Sequence, residues 1–307
     1  MGEAGYAVGL VVHPTRPVRE SVETIIGFAH RYGGRVVARE ADAGRVGAGV
    51  ETVAADAFVD MVDAVVSLGG DGTMLGAMRL LVGRRIPILG VNHGDLGFLV
   101  EVPPAGLPAA LDRMVAGDYA VEPHSCLDVE SGGRSFTAFN DVVVTASAQL
   151  KSAVVDLFVN GAAHGYYRGD AVVVCTPIGS TAYNYAAGGP VLSPSTPSIA
   201  LTPVAPMSGI SRSVVFGDSD DVELRNPGDG AALRFVVDGT AAEPLDAGAA
   251  LHLRLRPDAV HIVRFDADRH LRRNRVKLSL LDLPLRPDQL LDLVPPQLRE
   301  RADRLRG

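Results

Sequence analysis

The sequence has very little lysine and very little cysteine. Lys151 and Lys277 are the only lysines among 29 basic residues, which excludes the phosphate-binding loop G-x-x-x-x-G-K. The two cysteines, Cys126 and Cys175, do not form a C-x-x-C pair, which argues against a disulfide framework and a cysteine zinc site. We therefore expect a protein of the reducing cytoplasm, in which any nucleotide site uses another kind of loop.

Long apolar runs and an excess of positive charge are also absent. No apolar run approaches the ~20 residues that cross a bilayer, and acidic Glu3 stands where a leader carries basic residues, so we expect no membrane or targeting segment. The formal net charge of -7 argues against binding to nucleic acid or to an anionic membrane. With 47% hydrophobic residues among 307, the composition predicts a globular chain of one large domain or two ordinary ones.

The first 120 residues alternate between short apolar runs and longer helical segments. The first helix is the clearest, because Pro17 marks its start and Gly33 its end, with Val22 and Ile25 on one apolar face. Such a helix packs on a parallel sheet, so we expect an α/β layer. The predicted strands are Val8–Val12, Val36–Ala38, Ala64–Leu68 and Ile86–Val91.

After Val121 the pattern changes to short runs in which apolar and polar residues alternate. Turn pairs such as Asn160-Gly161 and Asp238-Gly239 separate several of these runs, so we expect a mostly-β region that begins near residue 120. From about Asp266 onwards, Arg-rich and Leu-rich stretches between prolines could form one or two amphipathic helices. The alternating runs include Val222–Arg225, Leu251–Leu255 and Val260–Phe265.

Two successive predicted strands end in glycine-rich segments. Gly69-Gly-Asp-Gly-Thr73 follows the first of them, and a segment from Asn92 through Gly94 to Phe98 follows the second. Glycines at a strand exit let backbone N–H groups approach a phosphate, and a helix start adds a favourable dipole. Because ligands of open parallel sheets bind beyond the carboxyl ends of the strands, both segments are expected to line one crevice. The alternative is a plain turn in which Asp71 caps the helix.

Two segments of the mostly-β region could also hold a ligand. Asn140-Asp141 precedes a β-branched run, and both side chains can face one ligand only at a strand end or bulge; an Asx turn is the alternative. Gly179-Ser-Thr-Ala-Tyr183 offers a helix start, hydroxyl groups and an aromatic face, which suits a nucleobase and ribose. Alternatively, Ser180 caps a helix and Tyr183 belongs to the core.

Taken in their order along the chain, these segments resemble the NAD kinase family. Any one segment is modest evidence, whereas the ordered set is specific and covers most of the chain. Lipid kinases of the diacylglycerol and sphingosine type share the Gly-Gly-Asp-Gly-Thr element, but the Gly-Ser-Thr-Ala-Tyr element is not expected in them. The segments that carry the resemblance are Gly69–Thr73, Asn92–Leu99, Asn140-Asp141, Thr176–Tyr183, Gly188–Pro190, Leu201–Pro206 and Val237–Gly239.

The resemblance implies a two-domain architecture. It consists of an α/β N-terminal Rossmann-like domain over residues 1-120, which carries the GGDGT motif, and a mostly-β C-terminal domain over residues 121-265, which binds nucleotide. The active site is expected between them, and the tail, residues 266-307, is expected to pack back on the N-terminal domain. The family also implies a homodimer or homotetramer.

The reaction that the resemblance implies transfers the γ-phosphoryl group of ATP to the 2′-hydroxyl of the adenosine ribose of NAD, which forms NADP. Asp71 is then the catalytic residue, as general base or orienter of that hydroxyl, and Mg²⁺ is held by phosphate oxygens without a direct protein ligand. Asn140 and Asp141 are implied to hold ribose hydroxyls. The residues implied to bind ATP phosphates are Gly69, Gly70, Gly72 and Thr73, and those implied to bind NAD are Asn92, Gly94, Phe98, Asn140, Asp141, Asp170, Ile178, Ser180, Thr181, Ala182 and Tyr183.

Three positions depart from the family pattern. Ile178 stands where a Thr or Ser is usual, Ala171 where a Gly is usual, and Met207 where a His is usual. Ile178 removes a hydroxyl from the expected pocket, and an unpaired polar group of a ligand costs ~1–3 kcal/mol. The sequence therefore leaves three functions open: an NAD kinase, a paralogue that phosphorylates another nucleoside or nucleotide, and a catalytically silent NAD-binding regulatory protein. The acidic charge disfavours a lipid kinase.

Overall fold

The computed structural model describes residues 6–94, 99–148, 150–240 and 242–266. These residues divide into two compact units. The first unit holds the described residues up to 74, those between 89 and 121, and residues 263–266; the second holds residues 75–88 and those from 122 to 262. The helices predicted for the tail, and its predicted packing on the N-terminal domain, lie outside the described residues, as does Phe98.

A parallel sheet forms the centre of the first unit. Its strands follow the order β5-β4-β1-β2-β3, and β1 pairs in parallel with β2 and with β4. Every residue of β1 and β4 is buried, as expected of strands that are covered on both faces. The four predicted strands are confirmed; the observed strands are β1 (Ala7–Val12), β2 (Arg35–Arg39), β3 (Glu51–Val53), β4 (Ala64–Gly69) and β5 (Pro87–Asn92).

Helices connect the strands of this sheet. The predicted first helix is confirmed, since Val22, Ile25 and Phe28 are buried along one face and Gly33, with a φ of 64°, follows its end. Burying each of these three side chains contributes about 1.5–3 kcal/mol. The helices are α1 (Arg19–Arg31), α2 (Ala43–Val46), α3 (Ala55–Phe58), α4 (Asp71–Leu80) and α5 (Leu107–Val115).

The second unit is mostly β and contains two sheets. The six-stranded sheet has the order β14-β12-β11-β8-β16-β17. In the other sheet the order is β13-β10-β9-β15-β18, and β6 pairs with β18 and with β7. Its elements are β6 (Ala120–Ser131), β7 (Arg134–Ala138), β8 (Asp141–Ala146), β9 (Ala153–Val159), β10 (Ala162–Gly169), β11 (Ala171–Cys175), α6 (Tyr183–Ala186), β12 (Ser198–Val204), β13 (Ser208–Gly209), β14 (Val214–Gly217), β15 (Val222–Arg225), β16 (Leu233–Val237), β17 (Ala242–Leu245) and β18 (Ala250–Arg264).

Alternating side chains of both sheets meet in one core. Val142 and Val144 of β8 and Val155 and Leu157 of β9 belong to the same buried cluster. This is the arrangement that period-two patterning predicts for a half-buried strand. The predicted fold, an α/β N-terminal domain followed by a mostly-β C-terminal domain, is confirmed.

One prediction about these strands is wrong, and one is confirmed. Leu251–Leu255 and Val260–Phe265 were expected as separate runs, but β18 continues through both because Asp258 adopts a φ of 51° inside the strand instead of ending it. At Asn160-Gly161 both residues have positive φ values, 51° and 79°. This is the backbone of the tight hairpin turn that Asn-Gly predicts.

Candidate active site

The Gly69–Thr73 loop lies where β4 ends and α4 begins. Gly69 is the last residue of β4, and Asp71 is the first of α4. A Cβ atom at Gly69 would lie 2.6 Å from the Cβ of Thr73, so packing within the loop requires a glycine there. The glycine at this position therefore serves the fold of the loop.

Gly70 and Gly72 have a different environment. A Cβ atom at either position would have no neighbouring atom within 4 Å among the described residues, and Gly72 is exposed. The space beside these glycines lies at the first turn of α4. The first turn of a helix carries the positive end of the helix dipole, which attracts anions. The loop therefore has the form of a phosphate site.

The second glycine-rich segment lies against the first. The N–H of His93 donates to the carbonyl of Gly69 at 3.0 Å, and the N–H of Leu99 donates to Oδ1 of Asp71 at 2.9 Å. Asn92 ends β5, and its side-chain oxygen accepts the N–H of Gly94 at 3.0 Å. The two segments thus meet, as predicted. Because the Asp71 carboxylate bonds to the neighbouring segment and belongs to the helix itself, it is more than the cap of a plain turn.

Sequence reasoning did not single out Arg16, which lies beside the same segments. Arg16 Nη1 donates to the carbonyl of His93 at 2.7 Å, and its guanidinium occupies the space that a side chain at Gly94 would need. The signal was available, because Arg16 follows β1 and the carboxyl ends of parallel strands meet at one edge. Burial lowers the pKa of His93, as does the charge of Arg16, and its ring contacts Ser21 at 3.0 Å. The ring of His93 thus has a hydrogen-bond partner of its own within this unit.

Asn140 and Asp141 lie at a strand end in the second unit. Asp141 is the first residue of β8, and Asn140 directly precedes it. Asp141 stands opposite Cys175, the last residue of β11, and the carbonyl of Asn140 accepts the N–H of Thr176 at 3.0 Å. The strand-end location is the one that lets two adjacent side chains serve one ligand.

The turn that follows β11 packs tightly on this pair. A Cβ atom at Gly179 would lie 2.5 Å from the Cα of Asn140, so the two backbones touch there. Ser180 is fully buried; its hydroxyl donates to the carbonyl of Pro177 at 2.6 Å and accepts the N–H of Leu192 at 3.0 Å. With both hydrogen bonds made inside the protein, this hydroxyl holds the turn in shape. The Thr181 hydroxyl is bonded within the turn as well, to the carbonyl of Ile178 at 3.2 Å.

Ala182 and Tyr183 form the exposed part of the turn. Tyr183 is 43% exposed, so the alternative in which it belongs to the core is wrong. Its backbone N–H bonds to the Asp141 carboxylate, while its ring remains available to a ligand. Ile178 is half-buried. The cluster that the structure brings together in this unit is thus Asn140, Asp141, Ile178, Thr181, Ala182 and Tyr183.

The carboxyl group of Asp141 has an unusual affinity for a proton. Burial, followed by the negative charge of Asp238, raises its pKa from 3.8 to about 6, and the N–H of Tyr183 opposes this shift. The group accordingly changes charge close to physiological pH.

Asp170 occupies a different place. It is exposed and directly precedes β11, whereas Asp141 pairs with the other end of that strand. The N–H of Asp170 donates to the carbonyl of Val204 at 3.0 Å. Within the described residues, no hydrogen bond or ion pair joins Asp170 to Asn140 or Asp141. Its predicted role in binding NAD stays a prediction.

A cleft of about 580 Å³ lies nearby in the second unit, yet none of the predicted site residues lines it. Its walls come from Gly188–Pro190, part of the segment Leu201–Pro206, and residues 211–213. Over the described ranges, the chain holds no group of three or more His, Cys, Asp or Glu side chains that could bind a metal ion. None of the helices in those ranges is long and apolar enough to cross a bilayer.

Comparison with known proteins identifies the family. The N-terminal domain model of ATP-NAD kinase matches residues 8–119, and the C-terminal domain model of ATP-NAD kinase matches residues 139–265. A curated NAD kinase of Gemmatimonas aurantiaca is 37% identical over 71% of this chain and 78% of its own length. The chain belongs to the ATP-NAD kinase family.

Relatives within this family extend the match. The NAD kinase of Moorella thermoacetica is 33% identical over 84% of this chain and 81% of its own length. The crystal structure of yeast NADH kinase complexed with NADH superimposes with a TM-score of 0.80 at 21% identity, covering 93% of this chain and 90% of that one. The NAD kinase of Archaeoglobus fulgidus in complex with ATP gives a TM-score of 0.67 at 24% identity, covering 89% and 98%. These two structures support the two-domain fold of the family.

Proposed function

We propose that this protein is an NAD kinase, which transfers the γ-phosphoryl group of ATP to the 2′-hydroxyl of the adenosine ribose of NAD. The observation that carries the proposal is the position of Asp71. It stands in the first turn of α4, beside two glycines whose missing side chains leave open space, in a chain of the ATP-NAD kinase family.

The donor half of the reaction fits the loop around Asp71. Phosphate oxygens of ATP would accept hydrogen bonds from the first N–H groups of α4, with Gly70 and Gly72 allowing close approach. Mg²⁺ would arrive bound to the ATP phosphates. Asp71 would orient the attacking hydroxyl and accept its proton, which is the role of the carboxylate in related phosphoryl transfers.

The acceptor half fits the Asp141 cluster. Asn140 and the ionised Asp141 offer oxygen acceptors to ribose hydroxyl groups, and the exposed ring of Tyr183 offers a surface for a base. Thr181 and Ala182 lie between them on the same turn. A ribose hydroxyl donates a stronger hydrogen bond to an ionised carboxylate than to a protonated carboxyl group, so NAD binding should weaken as Asp141 becomes protonated.

Ile178 favours a second candidate, a kinase of this family with a different acceptor. Ile178 is half-buried within the acceptor turn and brings an apolar side chain where the family pattern has a hydroxyl. Loss of one hydrogen bond shifts preference among acceptors by ~1–3 kcal/mol. A change of this kind would alter the acceptor without altering the phosphoryl transfer.

Other expectations belong to the same proposal. The domain limits 1-120 and 121-265, the packing of the tail 266-307, and the NAD-binding roles of Asn92, Gly94, Phe98, Asp170 and Ser180 stay predictions. So do dependence on Mg²⁺, a homodimer or homotetramer, and a cytoplasmic location.

The test is a product assay. Purified protein is incubated with Mg-ATP and, separately, NAD, NADH, adenosine and a nucleoside panel, and the products are identified by mass spectrometry. We expect NADP from NAD, and its loss in the Asp71→Asn variant by ~10²-fold or more. Phosphorylation of another nucleoside in place of NAD would favour the second candidate. Absence of any phosphorylated product would contradict both candidate functions.

A further inference from the structure

The motif Val237-Asp238-Gly239 has so far entered the site only through the effect of the Asp238 charge on the pKa of Asp141. Asp238 directly follows β16 with a φ of 46°, which is uncommon for a residue other than glycine. Its side chain is completely buried. A buried carboxylate is tolerated only where hydrogen-bond donors surround it. The donors around Asp238 therefore indicate the role of this strained, buried residue.

Four donors surround the Asp238 carboxylate. Three of them are consecutive backbone N–H groups: Phe139 at 2.9 Å, Asn140 at 2.7 Å and Asp141 at 3.1 Å. The fourth is the guanidinium of Arg79, at 2.7 Å. The N–H of Asp238 also donates to the carbonyl of Asp141 at 2.9 Å. Asp238 therefore holds the backbone of the segment that carries Asn140 and Asp141. Arg79 neutralises the charge of the Asp238 carboxylate.

The opposite side of that segment is fixed as well. The hydroxyl of Thr176 donates to the carbonyl of Phe139, and the N–H of Thr176 donates to the carbonyl of Asn140 at 3.0 Å. With N–H groups held from one side and carbonyl groups from the other, the backbone of residues 139–141 has little freedom. Because the backbone is fixed, the directions in which the side chains of Asn140 and Asp141 project from it are fixed as well.

We propose that Asp238, with Arg79 as its counter-ion, is a positioning residue that fixes Asn140 and Asp141 for the acceptor ribose. The proposal rests on the proposed function, because it takes these two residues as the ribose contacts. Each oxygen of the buried Asp238 carboxylate already accepts two hydrogen bonds, so this side chain acts through Asn140 and Asp141 and not on a ligand directly.

In the same arrangement, the charge of Asp238 influences the protonation of Asp141. The groups that face Asp141 are the Asp238 carboxylate, the thiol of Cys175 and the N–H of Tyr183, with Arg79 behind Asp238. Burial raises the pKa of Cys175 to about 12, so this thiol stays neutral. Removing the charge of Asp238 should lower the pKa of Asp141. Removing the charge of Arg79 should raise the pKa of Asp141, because the Asp238 carboxylate then has no counter-ion beside it.

The experiment compares Asp238→Asn and Arg79→Met with the wild-type enzyme. Arg134→Met is the matched control, because Arg134 forms an exposed ion pair with Glu243 at 2.6 Å in the same unit. KM for NAD, KM for Mg-ATP, the pH dependence of kcat/KM for NAD, and thermal unfolding are measured for each protein.

We expect Asp238→Asn to raise KM for NAD about tenfold or more, with KM for Mg-ATP nearly unchanged. The acid limb of the pH profile should move to lower pH in Asp238→Asn and to higher pH in Arg79→Met. A purely structural role would not move the limb in opposite directions. Unchanged KM for NAD and an unmoved limb in the folded variants would overturn the proposal.

Two further comparisons distinguish failure of the positioning role from failure of a variant to fold and from failure of the proposed function. If Asp238→Asn does not fold, Arg79→Met decides alone, because a limb that stays in place or moves to lower pH contradicts the proposal. If the wild type makes no NADP, the proposed function fails, and calorimetry of NAD binding decides the positioning role. A rise in Kd of about tenfold in Asp238→Asn would then support it, and an unchanged Kd, or no binding by the wild type, would overturn it.

Discussion

The two glycine-rich turns of this molecule use glycine for opposite purposes. At Gly70 and Gly72, a side chain would meet no described atom within 4 Å, whereas at Gly179 it would lie 2.5 Å from the Cα of Asn140. One turn keeps space open at a helix start, and the other lets two backbones touch. Under the proposed function, backbone groups of the open loop would meet the phosphates, whereas side chains supported by close packing would meet the ribose.

Among these substitutions, Gly179→Ala should have the largest effect on stability and on NAD binding. The new methyl group must push the turn away from Asn140, which destabilises the fold by about 3 kcal/mol and also weakens NAD binding. Denaturant unfolding and calorimetry with NAD measure the two losses. Gly217→Ala is the control, because the nearest atom to its new methyl group is 3.7 Å away. A stable Gly179→Ala variant with normal NAD affinity would show that the turn at Gly179 does not depend on close backbone packing. The distinction between the two glycine-rich turns would then not hold.

Asp141→Asn should separate function from stability. The folded-state pKa of Asp141 is raised from 3.8 to about 6, so its contribution to stability is present below pH 3.8 and is lost as the pH rises through 6. The variant should therefore be more stable than the wild type by about 1–3 kcal/mol at about pH 8, with a smaller gain at about pH 5.

The same variant should bind NAD about tenfold more weakly or worse, because an amide oxygen is a poorer acceptor than a carboxylate. Unfolding at both pH values and NAD titration give the comparison. If Asp141→Asn were less stable at high pH than the wild type, the buried, proton-accepting environment of Asp141 would be refuted.

Gly72→Ala tests the open turn. Alanine is the better helix former, so the variant should be more stable by about 0.5–1 kcal/mol. Its methyl group should nevertheless raise KM for Mg-ATP about tenfold, because it enters the space that the phosphates need. Gly76→Ala, on the same helix and also without a described atom within 4 Å of its new methyl group, should show the gain in stability with an unchanged KM for Mg-ATP. Identical kinetics in the two variants would show that the space beside Gly72 holds no phosphate.

Ile178→Thr is expected to have the smallest effect. Restoring a hydroxyl to the acceptor turn should lower KM for NAD several-fold if NAD is the natural acceptor, at nearly constant kcat. Initial rates with NAD and with the best alternative nucleoside measure the preference. An increase in KM for NAD would indicate that the pocket is shaped around the isoleucine.

The sequence alone predicted the parts of the molecule that depend on neighbouring residues. Apolar runs located β1 and β4, Asn160-Gly161 located a hairpin, and the glycines after β4 indicated the loop around Asp71. Each of these features follows from residues that are close together in the chain.

Contacts between distant residues escaped prediction for the same reason. Arg79 and Asp238 are separated by 159 residues, and no local pattern marks them as partners. Arg16 contacts His93 across 77 residues. The sequence predicts two runs where the structure has the single strand β18, because Pro257 interrupts the alternating pattern while the strand continues past it with Asp258 at a φ of 51°.

The separation of Asn140 from Asp238, which is 98 residues, also has a consequence for the newly made chain. A ribosome that adds ~5–20 residues per second needs on the order of ten seconds to pass from one to the other. During that interval the segment 139–141 has already left the ribosome without the carboxylate that holds it. We expect fragments that end before β16 to leave this segment unordered, so the acceptor pair should be among the last features to form during biosynthesis.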